Sequence, residues 1–257
     1  MMETTDPLTR RVHKAVAVDI DGPVLRVALD PASGDDTLGT PALDDLLTLL
    51  DDLHRRPDIR VLVLSSLGEN FCRGADRDEY RAALEADPSG ASLRHIADKA
   101  QRLCQALETA HVITIARLHG EVIGAGLALA SYCDLRVAAD DSRFRMPEVG
   151  LGLPPAWGGA MGRLIAEAGA ASIRELMLTC DRFDATTALR LGLVHKTAPV
   201  DELDRAVDAW VRPLVRRRPE ALVLTKRMLT GYTRADRLAD MSLIDAHLLA
   251  GAMVQRP

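Results

Sequence analysis

Aromatic residues are scarce in this chain: two Trp, three Tyr and three Phe among 257 residues. Proteins that hold single-stranded nucleic acid rely on rings that stack on bases, so that class is disfavoured. With aromatics at 3%, the core must be built from Leu, Val, Ile and Ala. Cysteine is scarce as well. Cys72, Cys104, Cys133 and Cys180 show no C-x-x-C spacing, which argues against a zinc site. They read as reduced thiols in a cytoplasmic protein. No apolar run approaches the roughly 20 residues of a membrane span, and the polar start up to Arg11 lacks the apolar stretch of a secretion signal. Positive charge is not in excess either: 32 Lys and Arg face 37 Asp and Glu, a net −5. That balance disfavours a general role on nucleic acid or anionic membrane.

What is present suits a soluble globular chain, 47% hydrophobic and 27% charged. The length fits one medium domain, or one domain with a helical appendage. Residues 12–19 and 24–29 read as two strands of a hairpin turned at Asp21-Gly22. Thr40 reads as an N-cap with Pro41 at the first helical position. Leu43, Leu46, Leu47, Leu50 and Leu53 then mark an amphipathic helix over 41–55. Strands are expected at 60–65, 111–117 and 134–139, with helices at 76–86, from about Leu93 to Leu107, and up to Cys133. This alternation predicts an α/β fold with a mixed or parallel sheet flanked by helices. From Ala156 onward the pattern reads as nearly all helical, over 170–178, 184–191, 201–217, 220–229 and 238–253. The expected division is a core over 1–200 and a helical region over 201–257. Leu203, Val207, Trp210 and Val211 form a stripe that suggests an assembly surface.

Two glycine-bearing turns each follow a strand and precede a helix. One is FCRGAD, residues 71–76, with Gly74. The other is GEVIGAG, residues 120–126, with Gly124 and Gly126. Glycine lets a ligand approach the backbone, and a helix start leaves N–H groups unpaired. Two such turns meeting at one point could direct two N–H donors at one oxygen, as an oxyanion hole does. Such turns also serve as plain connections. The second is not the G-x-G-x-x-G of dinucleotide sites, and no ribose-binding acid follows it. Glu148, in the apolar and turn-rich segment MPEVGLGLP, would be desolvated and therefore suited to accept a proton. An exposed carboxylate capping a turn is the alternative reading of the same segment.

Taken in order, these segments resemble the crotonase (enoyl-CoA hydratase/isomerase) superfamily. FCRGAD is similar to the family's FCAGAD, HGEVIGAGLALASYCD to NGxxxGGGxELAxxCD, and SRFRMPEVGLGLPPAWGG to ARFxxPEVxLGLxPxxGG. ELMLTCDRFDATTALRLGLVHK and ALVLTKRML extend the match, which runs from about residue 12 to 230. The resemblance implies a spiral of repeated β-β-α units with a C-terminal helical region, and assembly as a homotrimer or dimer of trimers. It implies an acyl-CoA or carrier-protein-bound thioester as substrate, with no metal and no redox cofactor. It places the oxyanion donors at the backbone N–H groups of Ala75 and Ala125, and the catalytic carboxylate at Glu148.

The chain also departs from the family pattern. Ala128 stands where hydratases carry a second glutamate. Hydration needs one proton movement at water and another at carbon, whereas moving a double bond needs one base, so the pattern favours isomerisation. Glu121 is a candidate second acid or base, with a salt-bridged side chain as its plain alternative. His119 reads as a packed turn residue, and Trp157 as a wall of the acyl pocket or as core. The family's RPxxNAL segment is replaced by residues 30–38 with the acidic pair Asp35-Asp36, a poor neighbour for phosphate. The chain stops before the family's usual final helix. Arg26, Arg73 and Arg77 are candidate phosphate contacts. A hydratase, a decarboxylase or hydrolase suggested by the segment 167–179, and a non-catalytic acyl-CoA-binding subunit are the competing readings. A serine protease reading lacks a convincing Ser/His/Asp set.

Overall fold

The computed structural model describes residues 13–31, 35–235 and 245–254. The expected hairpin is β1 (Val16–Asp21) and β2 (Val24–Leu29), antiparallel, with Asp21 opposite Val24. Residue 12, read as the start of the first strand, lies outside the described residues. Then follow α1 (Thr40–Leu53), β3 (Val61–Ser66), α2 (Arg77–Ala86), α3 (Ala91–Thr109), β4 (Ile113–Leu118) and β5 (Glu121–Ile123). Next come α4 (Ala125–Ser131), β6 (Leu135–Ala139), β7 (Arg143–Arg145), a 3-10 turn (Val149–Leu151), α5 (Ala160–Ala168) and α6 (Ala170–Thr179). The chain continues with β8 (Arg182–Asp184), α7 (Ala185–Arg190), β9 (Lys196–Ala198), α8 (Leu203–Arg216), α9 (Pro219–Ala235) and α10 (Asp245–Val254).

Six strands form one sheet in the order β1-β2-β3-β4-β6-β9, and three form a second in the order β5-β7-β8. The chain alternates between them. β4 leads into β5, β6 into β7, and β8 through α7 into β9, so these three turns of the spiral each place one strand in each sheet, while β1, β2 and β3 add only to the large one. From β2 onward the large sheet is parallel.

Both faces of the large sheet are covered, which explains the continuous apolar run of β3. Leu62 and Leu64 join the main core with α1 and α3, while Val61 and Val63 face a second cluster built with Leu203, Val207, Val211 and Leu214 of α8. This corrects the expected assembly stripe: Leu203, Val207 and Val211 pack on the chain's own sheet, and Trp210 flanks them. Among the described residues of this region, the large apolar side chains left exposed are Leu224, Met228, Leu229 and Tyr232 on α9 and Leu248 and Val254 on α10. Lys226 ties α9 to the core. Its buried ammonium bonds the carbonyls of Leu107 and Val112 and pairs with Asp134 at 2.8 Å, so all three donors are satisfied.

Other expectations are corrected as well. The region after 156 is not all helical, because β8 and β9 lie within it. The N-cap of α1 is Gly39, and the Thr40 hydroxyl is buried without a partner. The Thr40 N–H is met instead by the Glu79 carboxylate at 2.9 Å. Of the helix expected over 238–253, the part before Asp245 lies outside the described residues. Among the described residues no helix is long and apolar enough to cross a membrane.

Candidate active site

The two glycine turns are laced together. The Cys72 N–H donates to the Glu121 carbonyl at 3.2 Å, and the Ile123 N–H to the Cys72 carbonyl at 2.9 Å. Asn70, which sequence reasoning passed over, completes the seam. Its Oδ1 accepts from the Glu121 N–H at 2.8 Å and its Nδ2 donates to Asp36 at 2.8 Å. Asp36, read from the sequence as a poor neighbour for phosphate, is buried and accepts from Asn70 as a strut of this loop. His119 is the expected turn residue, with Nε2 2.9 Å from the Gly68 carbonyl. Close approach at the seam requires Gly126: a Cβ there would lie 2.6 Å from the Cys72 carbonyl oxygen.

This lacing leaves two N–H groups over. Residues 74–76 pair with Leu38 through the Gly74 carbonyl and the Asp76 N–H, at 2.8 and 3.2 Å. The N–H of Ala75, between them, is left out of the ladder. Asp76 then caps α2 by accepting from Asp78 and Glu79, which fixes the exit of the turn. Ala125 is the first residue of α4, where the N–H has no intrahelical partner. Among the described residues neither N–H meets an acceptor. Ala75 and Ala125 line one cavity of about 620 Å³, together with Gly74, Gly124 and Glu148.

Glu148 reaches this cavity because the Gly124 N–H donates to the Arg145 carbonyl at 3.0 Å, which holds the end of β7 against the second turn. A Cβ at Gly124 would stand 2.9 Å from Glu148 Oε1, and Gly124 has φ +49°. Glycine is thus demanded by both space and dihedral. The Glu148 side chain is half-buried and has no ion pair among the described residues. Burial raises its pKa above the ordinary glutamate value.

Glu121 borders the same cavity in the opposite condition. Arg73 holds one of its oxygens at 3.1 Å and Arg182 the other. These contacts, the Arg182 hydrogen bond first, lower its pKa. It stands as a charged strut at the rim and has no proton to give near neutrality. Ala128, within α4, offers no carboxylate.

The remaining candidates separate. Trp157 lines the cavity while belonging to the main core, and Arg77 lies exposed on its edge without an ion-pair partner among the described residues. Arg26 is not brought to the site. It shares the face of β2 that meets α8 and pairs with Asp208 there at 2.9 Å. Several lining residues were missed, among them five from four elements. Tyr80 comes from α2, Arg145 and Arg182 are register partners on β7 and β8, and Leu249 and Met253 come from α10. α10, at the end of the helix expected over 238–253, thus reaches the cavity. Tyr80 could have been sought one helical turn after the Asp76 cap; the three-residue strands carry no periodicity to reveal the arginines. The phenol of Tyr80 is pushed up by burial, with the Trp157 indole N–H acting in the opposite direction. The Trp157 Nε1 is itself buried and meets no acceptor that satisfies hydrogen-bond geometry among the described residues.

A family model described as enoyl-CoA hydratase/isomerase matches residues 19–255. The chain is 28% identical over 222 residues to a short-chain-enoyl-CoA hydratase of Clostridium acetobutylicum, spanning 86% of this chain and 83% of that protein. It is 32% identical over 188 residues to a peroxisomal Delta(3,5)-Delta(2,4)-dienoyl-CoA isomerase of Arabidopsis thaliana, spanning 70% and 67%. In fold it superposes on an enoyl-CoA hydratase from Bacillus halodurans with a TM-score of 0.86, covering 95% of this chain and 96% of that one at 22% identity.

Proposed function

The chain belongs to the enoyl-CoA hydratase/isomerase family, and from that premise we propose that it moves the double bond of an enoyl thioester with Glu148 as its single base. The observation that carries this reading is the contrast between a desolvated, unpaired Glu148 and a Glu121 neutralised by two arginines, with alanine at 128. In a 3-enoyl thioester, Glu148 takes a proton from C2, and the electron pair passes into the thioester carbonyl. The resulting enolate oxygen is held by the N–H groups of Ala75 and Ala125. Glu148 then returns the same proton to C4 as the enolate collapses, leaving a 2-enoyl thioester. No water is consumed, so no second carboxylate is required.

Arg73, Arg77, Arg145 and Arg182 line the cavity and are suited to the phosphates of coenzyme A, or to those of a carrier-bound pantetheine. We assign no cofactor beyond this thioester substrate. The region over 201–257 serves assembly as a homotrimer or dimer of trimers, with Leu224, Met228 and Tyr232 of α9 as the surface covered. The test is a 3-enoyl-CoA and a 2-enoyl-CoA supplied separately. Migration of the first with slow hydration of the second supports the reading. Rapid hydration without migration overturns the reaction in favour of a hydratase, the activity named for the Clostridium relative.

A further inference from the structure

One wall of the cavity is a face of the small sheet. Register places Glu121, Ile123, Arg145 and Arg182 on that face, and all four line the cavity, while Val122, Phe144 and Phe183 fill the other. Arg145 and Arg182 stand directly opposite each other on neighbouring strands, a placement that like charges disfavour. Arg182 is compensated by Glu121, which Arg73 holds as well. Arg145 has no acid. Its Nε donates to the Cys180 carbonyl at 2.8 Å, which fixes the direction of the guanidinium. Its two Nη groups are open to solvent and meet no acceptor among the described residues. A half-buried guanidinium without a counter-charge costs stability, and the free Nη pair has the shape that takes a carboxylate through two parallel bonds. Of the four arginines suited to an anion, Arg145 is the one held at the reacting end. Its carbonyl accepts from the Gly124 N–H at 3.0 Å, and a Cβ at Gly124 would stand 2.9 Å from Glu148 Oε1. The guanidinium, turned to Cys180, makes no ion pair with Glu148. An anion on it therefore lies a short way along the acyl group, whereas the phosphates of coenzyme A are a whole pantetheine arm away from the thioester.

Resting on the thioester reading above, we propose that Arg145 determines specificity for acyl thioesters whose acyl group carries a second carboxylate, the monothioesters of dicarboxylic acids. The Nη groups bond that carboxylate, so the arginine pair on β7 and β8 faces two anions, Glu121 on one and the substrate on the other. A plain chain of equal length leaves Arg145 unpaired and is discriminated against for that reason.

The experiment is calorimetric binding of straight-chain saturated acyl-CoAs and their ω-carboxy counterparts, matched in length across a series. At the best-fitting length the carboxylated ligand should bind at least about tenfold more tightly. Arg145→Met should reduce that ratio to within about threefold by weakening the carboxylated ligand alone. Arg145→Lys keeps the charge without the fork, so its ratio should fall between the two, and it serves if the methionine variant does not fold. Plain chains binding as tightly as carboxylated ones at every length would overturn the proposal, as would an unchanged ratio in a folded variant. Equal weakening of both series would overturn it too, by assigning the guanidinium to the coenzyme A phosphates. Because the ligands are saturated, the outcome is independent of turnover. Selectivity for the carboxylate without isomerisation would remove the proposed reaction and leave this inference in place.

Discussion

The cavity has two walls, each with one glutamate beside one of the laced turns, and the two carboxylates have opposite surroundings. On the inner wall, Glu148 lies over Gly124 with no cation beside it, and desolvation raises its pKa. On the rim, Glu121 bridges Arg73 and Arg182, whose hydrogen bonds and charge lower its pKa. Residue type is the same and the separation along the chain is short. What differs is what each one meets: Glu148 leads into the 3-10 turn Val149–Leu151 and pairs with no cation among the described residues, whereas β8 presents Arg182 to Glu121. Acid–base competence is thus set by what packs against a carboxylate.

The contrast is broken most severely by Glu148→Gln. It keeps the shape but cannot accept a proton, so isomerisation should fall at least about a hundredfold. Steady-state rates on a 3-enoyl-CoA measure this; a variant retaining half its activity would remove Glu148 from the mechanism. The seam comes next. Gly126→Val brings side-chain atoms against the Cys72 carbonyl and must displace one turn from the other. A lost oxyanion donor costs about two orders of magnitude in rate, with circular dichroism checking that the fold persists.

The inner wall also makes a pH prediction. Because the folded-state pKa of Glu148 is raised, kcat/KM should decline with falling pH at values above the ordinary glutamate range. Linkage has a matching sign. A carboxyl with a raised folded pKa destabilises the fold as pH rises from its unfolded value through its folded one. Glu148→Gln should therefore raise Tm near neutrality, and this gain should vanish well below the ordinary glutamate pKa. An equal Tm difference at both pH values would contradict burial as the cause.

The smallest effect is expected at the rim. Glu121→Gln removes half-exposed ion pairs, so stability should change by less than about 1 kcal/mol and kcat by less than about tenfold. A collapse of kcat comparable to that of Glu148→Gln would reverse the two roles.

Much of this arrangement was legible in the sequence. The hairpin announced itself in Asp21-Gly22, α1 in its leucine spacing, and the site in three ordered motifs around Gly74, Gly124 and Glu148. The small sheet was not legible, because β5, β7 and β8 are three residues each, too short for an alternating pattern. The stripe on α8 was legible as apolar, but its partner was not. Leu203 and Val207 find their cover in Val61 and Val63, more than a hundred positions earlier.

The sequence by itself determined the family, the single glutamate in its apolar segment, and the alanine at 128, since these are local identities in fixed order. Only the tertiary structure decided that Glu121 is neutralised, that Arg26 belongs to the far face, and that α10 and Tyr80 line the cavity. Those outcomes depend on contacts between distant segments, where burial and paired charge, rather than residue type, settle what a side chain can do.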